Sequence, residues 1–330
     1  MRAIRIAKPG GPQGLKLVDL PEPVPSAGQV LVKVAAVGVN FIDTYRRSGV
    51  YKVDFPHVPG TEGAGTVAAL GEGVTGPEIG QKVAWADSVT GSYAEFALVE
   101  ASRLLPVPPS VPLEVAAAVP LQGMTADYLI RSTYPVKAGE FVLLYAAAGG
   151  VGQLATQMAL MAGAEVIATV GRAAKAASVI ALGVPPDRVI DLGALTEVTE
   201  DLPPLVKALS GGPGAHVAYD GIGRDTFQAT LASLRPRGMA VLYGGASGQV
   251  PPFDPQELNA HGSLYLTRPK LGDYTATAAE LRQRGERVFG EIAAGQLKVS
   301  IGHEYRLASA DQAHAALESG STQGKAILIP

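Results

Sequence analysis

Short apolar runs rich in Val, Ala and Ile, each bounded by Gly or Pro, dominate the first third of the chain. Residues 2–8, 28–38, 63–70, 81–86 and 92–99 fit strands on this pattern, and Pro21, Pro23 and Pro25 mark an irregular connection. Strands so spaced predict a β-rich barrel or partly open sheet rather than a helical bundle. The pattern changes near Gly123. A helix-like piece from Met124 to Ser132 leads into an alternation, with strands expected at 141–145, 165–170, 188–191, 216–220, 238–243 and 263–267. Between and after them, 151–162, 173–182, 204–210 and 225–234 fit helices. Six strands separated by helical stretches describe an α/β fold with a doubly wound parallel sheet.

After Pro269 the alternation ends. Residues 275–294 carry helical periodicity through Ala278, Leu281, Val288, Phe289 and Ile292, and a second helix is expected at 309–319. The last run, Ala326-Ile327-Leu328-Ile329, is too apolar to leave exposed, so it is expected to return to the first β-rich domain. The predicted organisation is a discontinuous β-rich domain, 1–122 with 269–330, and a Rossmann-type domain, 123–268.

Composition narrows the picture. A chain of 330 residues can form two domains of ordinary size, and 47% hydrophobic with 17% charged residues argues against long disordered tracts. The net charge of −3 leaves no basic surplus for phosphate backbones, which disfavours nucleic acid as a main partner. There is no cysteine, so disulfides and thiolate zinc sites are excluded. The N-terminus is too short and too charged for a signal peptide, and the apolar stretch 141–170 is broken by Gly149, Gly150, Gly152, Gln153, Gln157 and Glu165. That stretch fits a buried core rather than a membrane span of ~20 apolar residues, and the default address is the cytoplasm.

The strongest local signal is Phe141 to Leu144 running into Tyr145-Ala146-Ala147-Ala148-Gly149-Gly150-Val151-Gly152. A buried strand enters a turn of small residues and then a helix. A dinucleotide's pyrophosphate sits against backbone amides at such a helix start, favoured by unpaired N–H groups and the helix dipole. Ala147, Gly149 and Gly152 hold the three positions that are commonly glycine. The next strand, Glu165 to Val170, ends in Gly171-Arg172-Ala173-Ala174-Lys175. An acid there would hold a ribose 2′-hydroxyl; instead Arg172 offers a fork matched to phosphate and Lys175 a mobile charge. This favours NADPH over NADH.

The stretch Pro59-Gly60-Thr61-Glu62-Gly63-Ala64-Gly65 resembles the medium-chain dehydrogenase/reductase superfamily, whose zinc enzymes carry a metal-binding His where Thr61 stands. With that position and every cysteine missing, no metal is expected, and Glu62 fits a structural hydrogen bond or ion pair. His57, between Pro56 and Pro59, reads as a loop residue. The chain is most similar to the quinone oxidoreductase family, which includes the zeta-crystallins. The matching stretches are Val39 to Tyr45, Ser48 to Tyr51, Ala146 to Gly152, Asp220 to Asp225, Gly262 to Pro269 and Thr322 to Lys325.

The resemblance implies a GroES-like catalytic domain, a Rossmann domain, a cleft between them and a homodimer. It sets Asn40, Phe41 and Tyr45 at the nicotinamide end of the cofactor and Tyr51 on the substrate pocket, flanked by Thr125 and Tyr128. Gly150 and Val151 are expected on the pyrophosphate, Gly171 to Lys175 on the 2′-phosphate, and Ile222, Tyr243 and Gly244 along the cofactor groove. Leu192 and Gly320 depart from the family pattern, standing where a Tyr and an Arg often meet the 2′-phosphate. Arg172 and Lys325 are candidates to compensate.

Quinone reduction asks little of the protein, because gaining two electrons makes the ring aromatic. Positioning can supply much of the rate, with the Asn40 amide or the Tyr45 and Tyr51 hydroxyls stabilising the oxyanion. Water can provide protons, and no obligatory acid is named. Three readings remain open at this stage: a quinone reductase, an enoyl or alkenal double-bond reductase, and an NADPH-binding structural or RNA-associated protein.

Overall fold

The computed structural model describes residues 1–330, and the chain divides into two compact units, Met1–Met124 with Thr275–Pro330, and Thr125–Tyr274. In chain order the first segment forms strands β1 (Arg2–Arg5), β2 (Lys16–Asp19) and β3 (Gln29–Gly38), then helix α1 (Phe41–Ser48). Strands β4 (Glu62–Leu70), β5 (Lys82–Trp85), β6 (Phe96–Glu100) and β7 (Leu105–Pro106) follow, with helices α2 (Leu113–Ala117) and α3 (Pro120–Tyr128). Next come β8 (Phe141–Leu144), α4 (Gly150–Met161), β9 (Glu165–Val170), α5 (Ala176–Ile180), β10 (Val189–Asp191) and α6 (Val198–Leu209). The alternation continues with β11 (Ala215–Asp220), α7 (Phe227–Ala232), β12 (Leu234–Leu242), α8 (Gln256–Ala260), β13 (Tyr265–Thr267) and α9 (Leu271–Tyr274). The chain closes with α10 (Ala278–Ala293), β14 (Ile301–Arg306), α11 (Ala310–Glu318) and β15 (Lys325–Ile329).

The second unit is a six-stranded sheet in the order β10-β9-β8-β11-β12-β13, with every neighbouring pair parallel. The chain winds one way through β8, β9 and β10, then returns to lay β11 against β8. Ligands in such sheets bind beyond the strand ends at that reversal. Val142, Leu143 and Leu144 of β8 and Val166, Ile167 and Ala168 of β9 are all fully buried. Both faces are covered, which is why these strands read as unbroken apolar runs without alternation.

In the first unit the order is β14-β15-β3-β4-β5-β7, with β6 also paired to β3. The ten-residue β3 is the spine, and Val30, Val32, Val34 and Val37 enter one apolar core with Ile4, Trp85, Tyr93 and Leu328. Strand β15 pairs antiparallel with the end of β3, Ile327 opposite Gly38 and Leu328 opposite Val37. The Val39 N–H donates to the Ala326 carbonyl at 3.0 Å. Gly38 tolerates no side chain there, because a Cβ would lie 2.7 Å from Glu62 Cδ and 2.8 Å from the Ala117 carbonyl oxygen.

Helices α1, α2, α8 and α9 and strands β2, β7 and β14 form where no element was expected, and three expected elements start earlier by four residues or more. Helix α6 begins at Val198, before Pro203 and Pro204, because the Asp201 carboxylate accepts the Thr196 and Glu197 N–H groups and secures its start. Strand β12 reaches back to Leu234 across Pro236, with a register shift opposite Ala215–Val217 that absorbs the irregularity. The helix expected from Met124 starts earlier, at Pro120, and unwinds into a wide turn in which the Tyr134 N–H reaches Leu129.

Candidate active site

The residues expected to form the site fall in two groups, one in each unit. In the second unit the turn after β8 is built as a cradle. Ala146 takes a positive φ of 49°, and the Ala147 N–H donates to the Thr169 carbonyl at 3.0 Å, tying the turn to β9. Gly149 is extended at the N-cap of α4, and the first helical bond runs from the Gln153 N–H to its carbonyl. The amides of Gly150, Val151 and Gly152 therefore precede any intrahelical acceptor. A Cβ on Gly152 would lie 2.7 Å from Ala147 Cα and collide with the Ala146 carbonyl oxygen, so only glycine lets α4 pack this close. No acidic residue occupies its first turn, which leaves the helix start open to an anion.

Beyond β9, Gly171 and Arg172 are exposed and Lys175 is half-buried. Burial, and then the neighbouring Arg172 guanidinium, hold the Lys175 ammonium below its usual pKa. Leu192, where the family pattern often has a tyrosine, packs against the apolar core of its unit. Gly320 caps the end of α11 with a positive φ of 64°. Lys325 does not compensate for it. Its amine is buried on Asn40 and Glu62 and cannot serve a phosphate.

At the ends of β11 and β12 the organising residue is Asp220, the first residue of the Asp220 to Asp225 stretch. Its Oδ1 accepts the N–H groups of Ile222 (2.7 Å) and Gly223 (3.0 Å), and its Oδ2 accepts the hydroxyls of Thr226 (2.8 Å) and Thr230 (3.0 Å). Burial raises its pKa against the pull of these donors. The Tyr243 N–H donates to the Asp220 carbonyl at 2.9 Å and the Ala246 N–H to the Gly221 carbonyl at 3.2 Å, so Ile222, Tyr243 and Gly244 sit on two stitched loops. An Asp ending a strand before Gly-x-Gly was the signal available for this hub. Burial, Asp220 and Tyr128 all raise the Tyr243 hydroxyl's pKa. Thr125 is buried, and Tyr128 stacks on Tyr274 at 4.3 Å between ring centroids.

In the first unit, Asn40 directly precedes α1, and Phe41, Tyr45 and Tyr51 come together. Tyr45 lies 6.2 Å from Phe41 and meets Tyr51 edge-on at 5.4 Å between ring centroids. Tyr51 is 40% exposed, and its N–H donates to the Tyr45 carbonyl at 3.1 Å. The Asn40 amide, expected to be open to an oxyanion, is committed within the protein. Its Nδ2 donates to Glu62 Oε1 at 2.8 Å and to the Gly38 carbonyl at 3.4 Å. Its Oδ1 accepts from Lys325 Nζ at 2.7 Å and Gln122 Nε2 at 3.2 Å. Glu62 is ion-paired with Lys325, and its other oxygen accepts the Leu121 N–H at 2.7 Å.

Beneath α1 lies a second tier of buried polar groups. Asp43 accepts the Asn40 N–H at 3.0 Å and the Thr61 hydroxyl at 2.7 Å, and burial pushes its pKa up to about 6. Arg47 is bidentate with Glu318 and donates to His314 Nδ1 at 3.3 Å. Nδ1 being the acceptor, the neutral ring carries its proton on Nε2 and donates to the Tyr93 hydroxyl at 3.0 Å. Burial, then Arg47, push the His314 pKa down to about 3. His57 pairs its main chain with Ile6 and meets the Phe55 ring edge-on, and its Nε2 has no hydrogen-bond partner.

Comparison with known proteins follows this geometry closely. The family model of the alcohol dehydrogenase GroES-like domain matches residues 26–109, and that of zinc-binding dehydrogenases matches residues 150–279. A quinone oxidoreductase of Escherichia coli, solved with NADPH, is 40% identical with both chains fully covered and a TM-score of 0.96. A mycobacterial protein solved with NADPH is 46% identical, again with both chains fully covered and a TM-score of 0.96. The 2-haloacrylate reductase of a Burkholderia species is 36% identical over 98% of each chain. The donor set does not fit the zinc of the second family model. There is no cysteine, the Thr61 hydroxyl is donated to Asp43, and Glu62 faces a buried ammonium that would repel a divalent cation. With full-length identity of this order to a quinone oxidoreductase, and both dehydrogenase models matched, the chain belongs to the quinone oxidoreductase family of the medium-chain dehydrogenase/reductase superfamily.

Proposed function

We propose that this protein is an NADPH-dependent quinone reductase that works without a metal. The observation that carries the reading is the cradle after β8, where a Cβ on Gly152 would collide with the preceding turn and three helix-start amides lack intrahelical acceptors. NADPH, when bound, supplies a hydride. Gly150, Val151 and Gly152 hold its pyrophosphate through their amides, while Ala147 and Gly149 keep the turn small. Gly171, Arg172 and Lys175 hold the 2′-phosphate, two cations with no carboxylate ending β9. Thr125, Tyr128, Ile222, Tyr243 and Gly244 line the remainder of the cofactor groove.

On the acceptor side, Phe41, Tyr45 and Tyr51 offer an aromatic surface with two hydroxyls. Asn40 acts as a fixed wall, since its amide donors are already committed. A quinone that takes up a hydride becomes the quinol anion, and the Tyr45 or Tyr51 hydroxyl can donate a hydrogen bond to that oxygen. A proton from water completes the quinol. We further propose a homodimer, because β13 ends its sheet with one edge unpaired and Tyr265 there is 59% exposed. Sedimentation at micromolar concentration tests this, and a monomer would refute it.

NADPH oxidation followed against ortho- and para-quinones, enones and 2-haloacrylate tests the main reading. Turnover with quinones is expected. The likeness to a 2-haloacrylate reductase supports a second reading, reduction of an activated carbon–carbon double bond, and turnover confined to the enones and haloacrylate would replace the first with it.

A further inference from the structure

We infer that Lys325 is a positioning residue for the reaction, acting through Asn40 on the start of α1. The inference rests on the proposed function, because Asn40 and Phe41 gain their importance from that reading. Lys325 opens β15, is only 2% exposed and lies 285 residues along the chain from Asn40. Its ammonium donates to Asn40 Oδ1 at 2.7 Å and pairs with Glu62, which itself accepts from Asn40 Nδ2 at 2.8 Å. Gln122 adds a second donor to the same Asn40 oxygen at 3.2 Å. Three distant stretches of chain thus converge on one amide.

Two physical points turn this contact into a role. First, the donors fix which way the amide faces. Rotated by half a turn, Nδ2 would confront an ammonium and another amide N–H while the carbonyl met the Glu62 carboxylate. Second, stability alone does not call for the pair, since replacing a buried ion pair with well-packed apolar residues is often neutral or stabilising. What an apolar pair would lose is the orientation of Asn40. Its N–H is held by the Asp43 carboxylate at 3.0 Å, and Phe41 and Tyr45 follow within about a turn and a half. The groups assigned to cofactor phosphates lie elsewhere in the chain, after β8 and β9.

The test compares Lys325→Met, which strands the Glu62 carboxylate, with Lys325→Met/Glu62→Gln, which removes both charges. The single variant is expected to melt earlier and the double variant to recover, because it buries no unpaired charge. In the double variant, quinone turnover is expected to stay about tenfold or more below the parent, as for a misplaced reacting group. NADPH affinity by calorimetry should remain within about twofold, and amide hydrogen exchange should speed up from Asn40 to Tyr45. A double variant with parental turnover and exchange would overturn the inference, as would equal losses in NADPH affinity and turnover, which mark a purely structural pair. A parent that binds NADPH but reduces no quinone would sink the proposed function instead, and the exchange measurement would still judge the link from Lys325 to α1.

Discussion

Replacing Gly152 with alanine is the most direct challenge to the cofactor cradle. The new methyl carbon would lie 2.7 Å from Ala147 Cα and closer still to the Ala146 carbonyl oxygen, whereas ordinary contact begins near 3.4 Å. Both neighbours are backbone, so no rotamer change can relieve the overlap. The start of α4 must retreat from β8 by about 0.7 Å or more, at an overpacking cost of about 1–3 kcal/mol. Retreat also moves the amides proposed to hold the pyrophosphate. Losing one charge-assisted hydrogen bond costs about 1.5–3 kcal/mol, which is about ten- to a hundredfold in affinity. Calorimetric titration with NADPH and NADH should therefore show both weakened alike, because the pyrophosphate is common to them. Thermal melting should fall by a few degrees in the same variant, at about 2–4 °C per kcal/mol. A Gly152→Ala protein that binds both nucleotides with parental affinity and melts normally would refute the cradle.

Other perturbations separate the remaining roles. Arg172→Ala should weaken NADPH by about tenfold or more while leaving NADH unaffected, measured by the same titration, since only the 2′-phosphate is lost to it. An equal loss for both would remove Arg172 from that contact. Tyr51→Phe should lower quinone turnover about ten- to a hundredfold at unchanged NADPH affinity, and normal steady-state kinetics would exclude the hydroxyl. His314, with a folded pKa near 3 against 6.5 unperturbed, withholds a proton that the unfolded chain binds, so its contribution to stability is lost as pH falls from 6.5 toward 3. Asp43, raised to about 6 from 3.8, acts in the opposite sense: the folded state holds the extra proton, and stability grows as pH falls between those values. In melts from pH 7 to 4, His314→Gln should thus be less acid-sensitive than the parent, and parallel profiles would contradict this assignment.

The Rossmann unit was legible because its signals are local. Strands β8 and β9 are covered on both faces, so their apolar runs stand out, and small residues at Ala147, Gly149 and Gly152 mark a turn whose tightness has a steric cause. Arg172 and Lys175 could be read from their place after β9 alone. The interior of the other unit was much less legible. Helix α1 has a polar sequence, and its buried Asp43, Thr44 and Arg47 look like surface residues until their distant partners are known. Thr61, Tyr93 and the α11 pair His314 and Glu318 come from three different places in the chain, and no spacing rule links those places. Lys325 was read as a possible phosphate ligand for the same reason, since a lysine near a chain terminus is ordinarily solvated. Nor could sequence show that both donors of Asn40 were already engaged. Only the pairing of β15 with β3 brings Lys325 to it.

That pairing also sets an order of events during synthesis. The nucleotide-binding unit occupies one uninterrupted stretch, Thr125–Tyr274, and has all its strands once that stretch has left the ribosome. The GroES-like unit begins earlier but cannot finish first, because β3 waits for a partner strand made some 285 residues later. Until then Asn40 and Glu62 lack their ammonium, and the end of β3 at Val37 and Gly38 lacks the strand that later covers it, an opening for mispairing or a chaperone. The nascent polypeptide would thus become competent to hold nucleotide before it is competent to use it.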